Sequence, residues 1–181
     1  MTDNATQGRA AHQILGIQFR LGIGEAETMA KAFVRARWLL IGLLGLGLWL
    51  TPGATYGHSR ELLEAYNRAG TLYGQGRYVE ALPFAKRAVG LGEQEFGASN
   101  PRFATLLNNL ANLYLYQGRY ADAEPLYERA LAIREKALGP EHPRVATSLE
   151  NYAALLRATN RSDEAEELEA RAAAIRAKEV E

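Results

Sequence analysis

The chain has 181 residues with 21 basic and 21 acidic side chains, so its formal net charge is zero, and it contains no cysteine. Neutrality excludes the strong basic excess of a nucleic-acid binder. The missing thiols exclude a disulfide framework, a Cys-based zinc site and a cysteine nucleophile.

The charge is unevenly placed. Residues 1–54 carry Arg9, Arg20, Lys31, Arg35 and Arg37 against Asp3, Glu25 and Glu27, an excess of +2 that the remainder offsets. Residues 38–50 read WLLIGLLGLGLWL, all apolar or glycine, with Lys31, Arg35 and Arg37 just before and the small, turn-forming TPGATYG just after. A basic flank, a short apolar run and a small-residue exit form the pattern of a secretory signal peptide. A membrane-spanning helix needs about 20 predominantly apolar residues. The strong run is shorter, but the uncharged stretch extends to Gly57, so residues 29–57 read either as a cleaved signal or as an uncleaved signal anchor through residues 38–57. Starting at Met29 gives a signal of ordinary proportions, which makes residues 1–28 a doubtful leader. The basic flank places the residues C-terminal to the run outside the cytoplasm, in a periplasmic or other extracytoplasmic compartment. Membrane contact is then expected only through the hydrophobic segment.

From about Leu63 the sequence repeats itself. Gln75-Gly76-Arg77-Tyr78 returns as Gln117-Gly118-Arg119-Tyr120, 42 residues on, and returns more weakly as Asn160-Arg161-Ser162. Small residues recur at the same spacing: Ala69, Ala111 and Ala153; Ala81, Ala123 and Ala165; Ala88, Ala130 and Ala172. Three copies at one period indicate a solenoid. The copies span about 63–104, 105–146 and 147–181 within a domain of residues 58–181. Each predicts two helices. Asn100-Pro101 and His142-Pro143 supply an N-cap and a proline at the first helical position. Leu107, Leu110, Ala111 and Tyr114 form a 3.6-residue apolar face, and Gly118 ends that helix. A second helix is expected from Tyr120 to Leu138, with Gly139-Pro140 stopping it. A helical hairpin cannot bury its own apolar face, so neighbours must stack, and the recurrent alanines allow close helix approach. The last helix is more polar, with Glu169 where Tyr127 stands one copy earlier, as suits a terminal repeat.

These residues resemble the tetratricopeptide (TPR) family. Leu110-Ala111, Tyr114, Gly118, Ala123, Tyr127 and Ala130 follow its helix-turn-helix pattern. The phrases LLNNLANLYLYQGRY, AEPLYERALAIREKALGPEHP and VATSLENYAALL are similar to the kinesin-light-chain type of repeat. The likeness covers roughly residues 60–178. Copy one departs at Arg68 and at Gly90 and Gly92, which are expected to weaken its second helix; copy three loses the glycine and tyrosine of the turn. The resemblance implies an all-α, right-handed solenoid of three repeats and six helices, here preceded by a hydrophobic N-terminal helix. It also implies a protein-binding, non-enzymatic role.

Asn67, Asn109 and Asn151 also lie 42 apart, each two residues before the small residue of the first helix. In a TPR stack that helix lines the concave surface. An amide offers both a donor and an acceptor, so a ladder of amides suits the backbone of an extended partner peptide. Asn112 and Tyr116 follow Asn109 on one face and complete the expected groove: Asn67, Asn109, Asn112, Tyr116 and Asn151. The competing reading is that these asparagines bridge neighbouring helices. Asn108 reads as plain surface.

No catalytic constellation stands out. His142 with Glu141 is too small a set for a metal site. The acidic cluster Asp163, Glu164, Glu166, Glu167 and Glu169 lies on a helix, where side chains splay, whereas calcium loops fold ligands inward. Gly-rich LYGQGRY joins two helices and lacks the Lys-Ser/Thr of a phosphate loop. No cofactor is expected. The leading expectation is an exported adaptor that holds a protein or peptide. The alternative is a structural module forming a homo-oligomer in an envelope complex, with Val89, Leu91 and Ile175 contributing.

Overall fold

A computed structural model of the chain describes residues 53–178, with side chains from residue 59 onward. The leader, the proposed start at Met29 and the apolar run of residues 38–50 lie outside the described residues. The described residues form six α-helices and no strand: α1 Gly53–Gly74, α2 Tyr78–Phe96, α3 Pro101–Tyr116, α4 Tyr120–Leu138, α5 Pro143–Ala158 and α6 Ser162–Lys178. No helix among them is long and apolar enough to cross a membrane.

Local chemistry sets the helix ends. Asn100 Oδ1 accepts from the Arg102 N–H at 2.9 Å, and His142 Nδ1 accepts from the Arg144 N–H at 3.0 Å; each cap precedes a proline at the first helical position. The turn inside each hairpin closes with the same bond one period apart. Arg77 N–H reaches Leu72 O at 2.9 Å, Arg119 N–H reaches Tyr114 O at 2.9 Å, and Arg161 N–H reaches Leu156 O at 2.8 Å. That turn needs one left-handed residue. Gly76 and Gly118 supply it at φ 74° and 69°, and in the third copy Asn160 supplies it at φ 61°. Asparagine is among the few non-glycine residues that tolerate this region, so copy three keeps the turn after losing its glycine.

The one displaced boundary is the start of α1. The repeat pattern placed it near Leu63, but the helix begins at Gly53 and takes in Gly53–Gly57, which had read as a turn-forming exit. Small residues permit a helix when it continues without a break into a strongly packed one, and α1 buries Leu62, Ala65, Tyr66, Ala69, Leu72 and Tyr73.

Each hairpin packs on the next, with α2 against α3 and α4 against α5. The odd helices form one layer: Asn109 of α3 bonds Tyr66 of α1, and α3 touches α5. The even helices form the other, joined by Arg129–Glu93 between α4 and α2 at 2.6 Å and by Arg171–Glu135 between α6 and α4 at 2.6 Å. All nine recurrent alanines are buried in the seams. Glu169, standing in the register of Tyr127, turns outward and binds Arg157 at 2.6 Å. The guanidinium holds its carboxyl below the ordinary carboxylate range.

Two expectations about apolar residues change. Ile175 is buried with Val145, Leu149 and Ala172, and Val89 and Leu91 pack partly buried against the core. A longer side chain at Gly92 would also do harm rather than good. A Cβ there would lie 2.1 Å from Leu106 Cδ1, whereas at Gly90 it would meet nothing within 4 Å. Gly92 therefore trades helix propensity for a close approach of α2 to α3, and only Gly90 weakens the helix without a packing return.

Candidate functional site

The three period-related asparagines stand on the odd-helix layer, one per helix, as the register requires. Their environments differ. Asn67 is half-buried, with Oδ1 enclosed and unbonded. Asn109 is half-buried, and its Nδ2 donates to the Tyr66 hydroxyl at 3.5 Å. Asn151 is buried, with Nδ2 enclosed and unbonded. The three positions are thus not equivalent: Asn109 bridges α1 and α3, as the competing reading expects, while Asn67 and Asn151 each leave one enclosed amide end unbonded. An enclosed amide end without a partner costs the fold about 1–3 kcal/mol.

The other two residues of the expected groove point elsewhere. Asn112 lies on the face that turns into its own hairpin. It is buried, and its Oδ1 accepts from the hydroxyl of fully buried Tyr127. Burial pushes the Tyr127 phenol well above its ordinary pKa, so the hydroxyl keeps its proton. Tyr116 sits at the end of α3, stacked on Tyr78 with ring centroids 4.9 Å apart and set edge-on to Tyr73 at 5.6 Å. Burial raises the pKa of all three phenols. Beside this cluster lies an open hollow of about 380 Å³ lined by Tyr78, Val79, Tyr116, Gln117 and Arg119, among others. Val79 is 72% exposed there. The rim arginines are already engaged, Arg77 with Glu80 at 2.6 Å and Arg119 with Asp122 at 2.7 Å. Tyr116 therefore lines a hollow of mixed character, with Tyr78 and Val79 beside the charged Arg77, Glu80 and Arg119.

Asn108 departs from its reading as surface: it is 3% exposed, and its Oδ1 is enclosed without a partner. Two further polar centres were not anticipated. Arg134 of α4 is buried, donating to Arg144 O at 3.1 Å, Ser148 Oγ at 2.8 Å and Thr105 Oγ1 at 3.1 Å. Burial, helped by the nearby Arg144 charge, pulls its pKa down to about 10. Tyr152 of α5 has its hydroxyl 3.1 Å from a carboxylate oxygen of Glu124 and 3.1 Å from one of Glu128. Arg161 also binds Glu124. Burial, with these two carboxylates, raises the Tyr152 phenol. The sequence signal for Arg134 was a charged residue returning at the 42-residue period, as Arg176, inside an otherwise inward-facing helix register.

Several of the residues weighed for metal chemistry are engaged by the chain, Glu169 with Arg157 among them. His142 caps α5, and Glu141 pairs with Lys178. Glu164 pairs with Arg161, and Asp163 and Glu164 occupy the first turn of α6, where carboxylates favour the helix N-terminus. No curated protein matches the chain. A family model described as tetratricopeptide repeat matches it twice, over residues 61–135 and 102–178, spanning all three hairpins.

Proposed function

The chain belongs to the tetratricopeptide-repeat family, whose repeats mediate protein–protein interaction, and we propose that it is an adaptor holding an extended segment of a partner protein along its odd-helix layer. In this reading the stack curves into a right-handed superhelix of the kinesin-light-chain type, and the layer of α1, α3 and α5 lines its hollow. Asn67, Asn109 and Asn151 address the partner's backbone. Tyr116 and Val79 receive an apolar side chain at one end. Asn112 now belongs to the scaffold, where it holds Tyr127.

The observation that carries the reading is the period-matched set of amides on one layer, of which Asn67 and Asn109 are only half-buried. Apolar packing alone does not account for an amide recurring at 42-residue spacing on three helices whose buried faces are mostly apolar. We further propose that the repeats act outside the cytoplasm, delivered by the basic-flanked apolar run of residues 29–57.

The test is cross-linked capture from the native envelope, comparing wild type with Asn67→Ala/Asn109→Ala/Asn151→Ala and checking helicity by circular dichroism. Loss of capture with helicity retained supports the ladder. Capture at wild-type level by the folded triple variant overturns it.

A further inference from the structure

Copies two and three cap their first helices at the same place with different chemistry. Asn100 caps α3 and His142 caps α5. Each precedes a proline, and each side chain accepts from the N–H two residues on, that of Arg102 at 2.9 Å and that of Arg144 at 3.0 Å. An amide oxygen accepts a hydrogen bond whatever the pH. An imidazole nitrogen accepts only while it carries no proton, because both ring nitrogens of the imidazolium are donors. The atom in the bond is Nδ1, so the cap on α5 exists only while His142 is neutral with its ring proton on Nε2.

The first turns of α5 fasten the third hairpin to the second. Arg134 of α4 donates from Nη1 to Arg144 O at 3.1 Å and to Ser148 Oγ at 2.8 Å. Arg176 of α6 donates to Thr147 Oγ1 at 2.9 Å. Arg144 thus gives its N–H to the cap and its carbonyl to the seam. His142 is half-buried, so a proton reaches it from solvent. The charged groups of the flanking elements are Arg134, Glu135 and Lys136 near the end of α4, Arg144 on α5, Lys178 on α6 and Glu141 in the loop. Glu135 is paired with Arg171 and Glu141 with Lys178, so both carboxylates are already engaged.

We propose that His142 is a pH-sensitive latch on the seam between the second and third hairpins: on taking up a proton it uncaps α5 and loosens the turn that receives Arg134. Histidine is the side chain that ordinarily changes charge between pH 5 and 8. The proton acts twice in one direction. It turns the acceptor into a donor facing the Arg144 N–H, and it sets a cation at the positive end of the α5 dipole. The cap's contribution to stability is therefore present while the imidazole is neutral and is lost as the pH falls through its titration. Asn100 gives α3 no such dependence, so acid uncaps the third hairpin and leaves the second capped. The latch works with or without a partner on the odd-helix layer.

The test compares the full chain with its His142→Asn variant, which installs the cap of copy two, by thermal melts at pH 7.5 and pH 5.0 at constant ionic strength. Other groups that titrate in this range are common to both proteins. Between the two pH values wild type should lose about 4 °C more in Tm than His142→Asn, the worth of one cap in a domain of this size. Asn100→His should do the reverse and add a second acid-dependent loss, at α3. Nuclear magnetic resonance of the wild type gives a reading free of any variant. The Arg144 amide should shift and exchange faster with solvent as the His142 ring takes its proton, while the Arg102 amide, held by Asn100, stays put. Equal pH dependence of Tm in wild type and His142→Asn overturns the latch, and so does an Arg144 amide that moves no more than that of Arg102.

Discussion

Tyr127→Phe removes a single oxygen and decides whether Asn112 belongs to the scaffold or to the binding surface. Tyr127 is fully buried and Asn112 is 3% exposed, and the phenol donates to Asn112 Oδ1. Without that donor the carbonyl is left enclosed and unpaired, at a cost of about 1–3 kcal/mol. For a domain of this size each kcal/mol moves Tm by about 4 °C, so the variant should melt roughly 4–12 °C lower. Adding Asn112→Leu removes the stranded carbonyl with little change of shape, and replacing both partners by apolar groups is nearly neutral. The double variant should therefore recover most of the loss, with a coupling of about 1 kcal/mol or more in a double-mutant cycle. Urea titration followed by circular dichroism measures each corner. A loss under about 0.5 kcal/mol for Tyr127→Phe, with no recovery in the double variant, would refute the reasoning and return Asn112 to the ligand-facing set.

Other substitutions test the packing. Ala123→Leu enlarges a fully buried seam residue and should cost about 1–3 kcal/mol, read from the same urea titration. Gly92→Ala should destabilise because its Cβ would meet Leu106, whereas Gly90→Ala, into open space, should stabilise by about 0.4–1 kcal/mol; equal effects at the two positions would contradict the close-approach account. Asn100→Ala removes the side-chain acceptor for the Arg102 N–H and should cost about 1 kcal/mol, visible as a lowered denaturation midpoint.

The sequence displayed the hairpins clearly because a 42-residue period repeats every constraint: caps, turn residues and small seam residues mark the same boundaries more than once. The span of α4 and the caps at Asn100 and His142 were legible for that reason. Facing was harder to read. A first helix in this stack touches its own hairpin partner, the preceding hairpin and the following one, so only a narrow strip stays open. Asn108, Asn109 and Asn112 lie within about one turn of each other yet meet three different environments: an enclosed spot without a partner, the Tyr66 hydroxyl and the Tyr127 hydroxyl. A step of about 100° per residue separates such environments, and periodicity alone does not say which neighbour stands at each angle. Gly92 misled for a related reason, since helix propensity is local and the approach of Leu106 is not. Arg134 was hidden because a charged residue at an inward position reads as an exception until its hydroxyl partners from two other helices are in place.

The central claim is that the odd-helix layer receives the partner. A photo-activatable amino acid placed at Asn109 samples that layer, and one placed at Lys136, beside a hollow of about 450 Å³ lined by even-helix residues and the loop before α3, samples the opposite side. Irradiation in the native envelope should join a polypeptide to the chain from position 109 and leave position 136 unjoined. Capture from 136 with none from 109 would contradict the account.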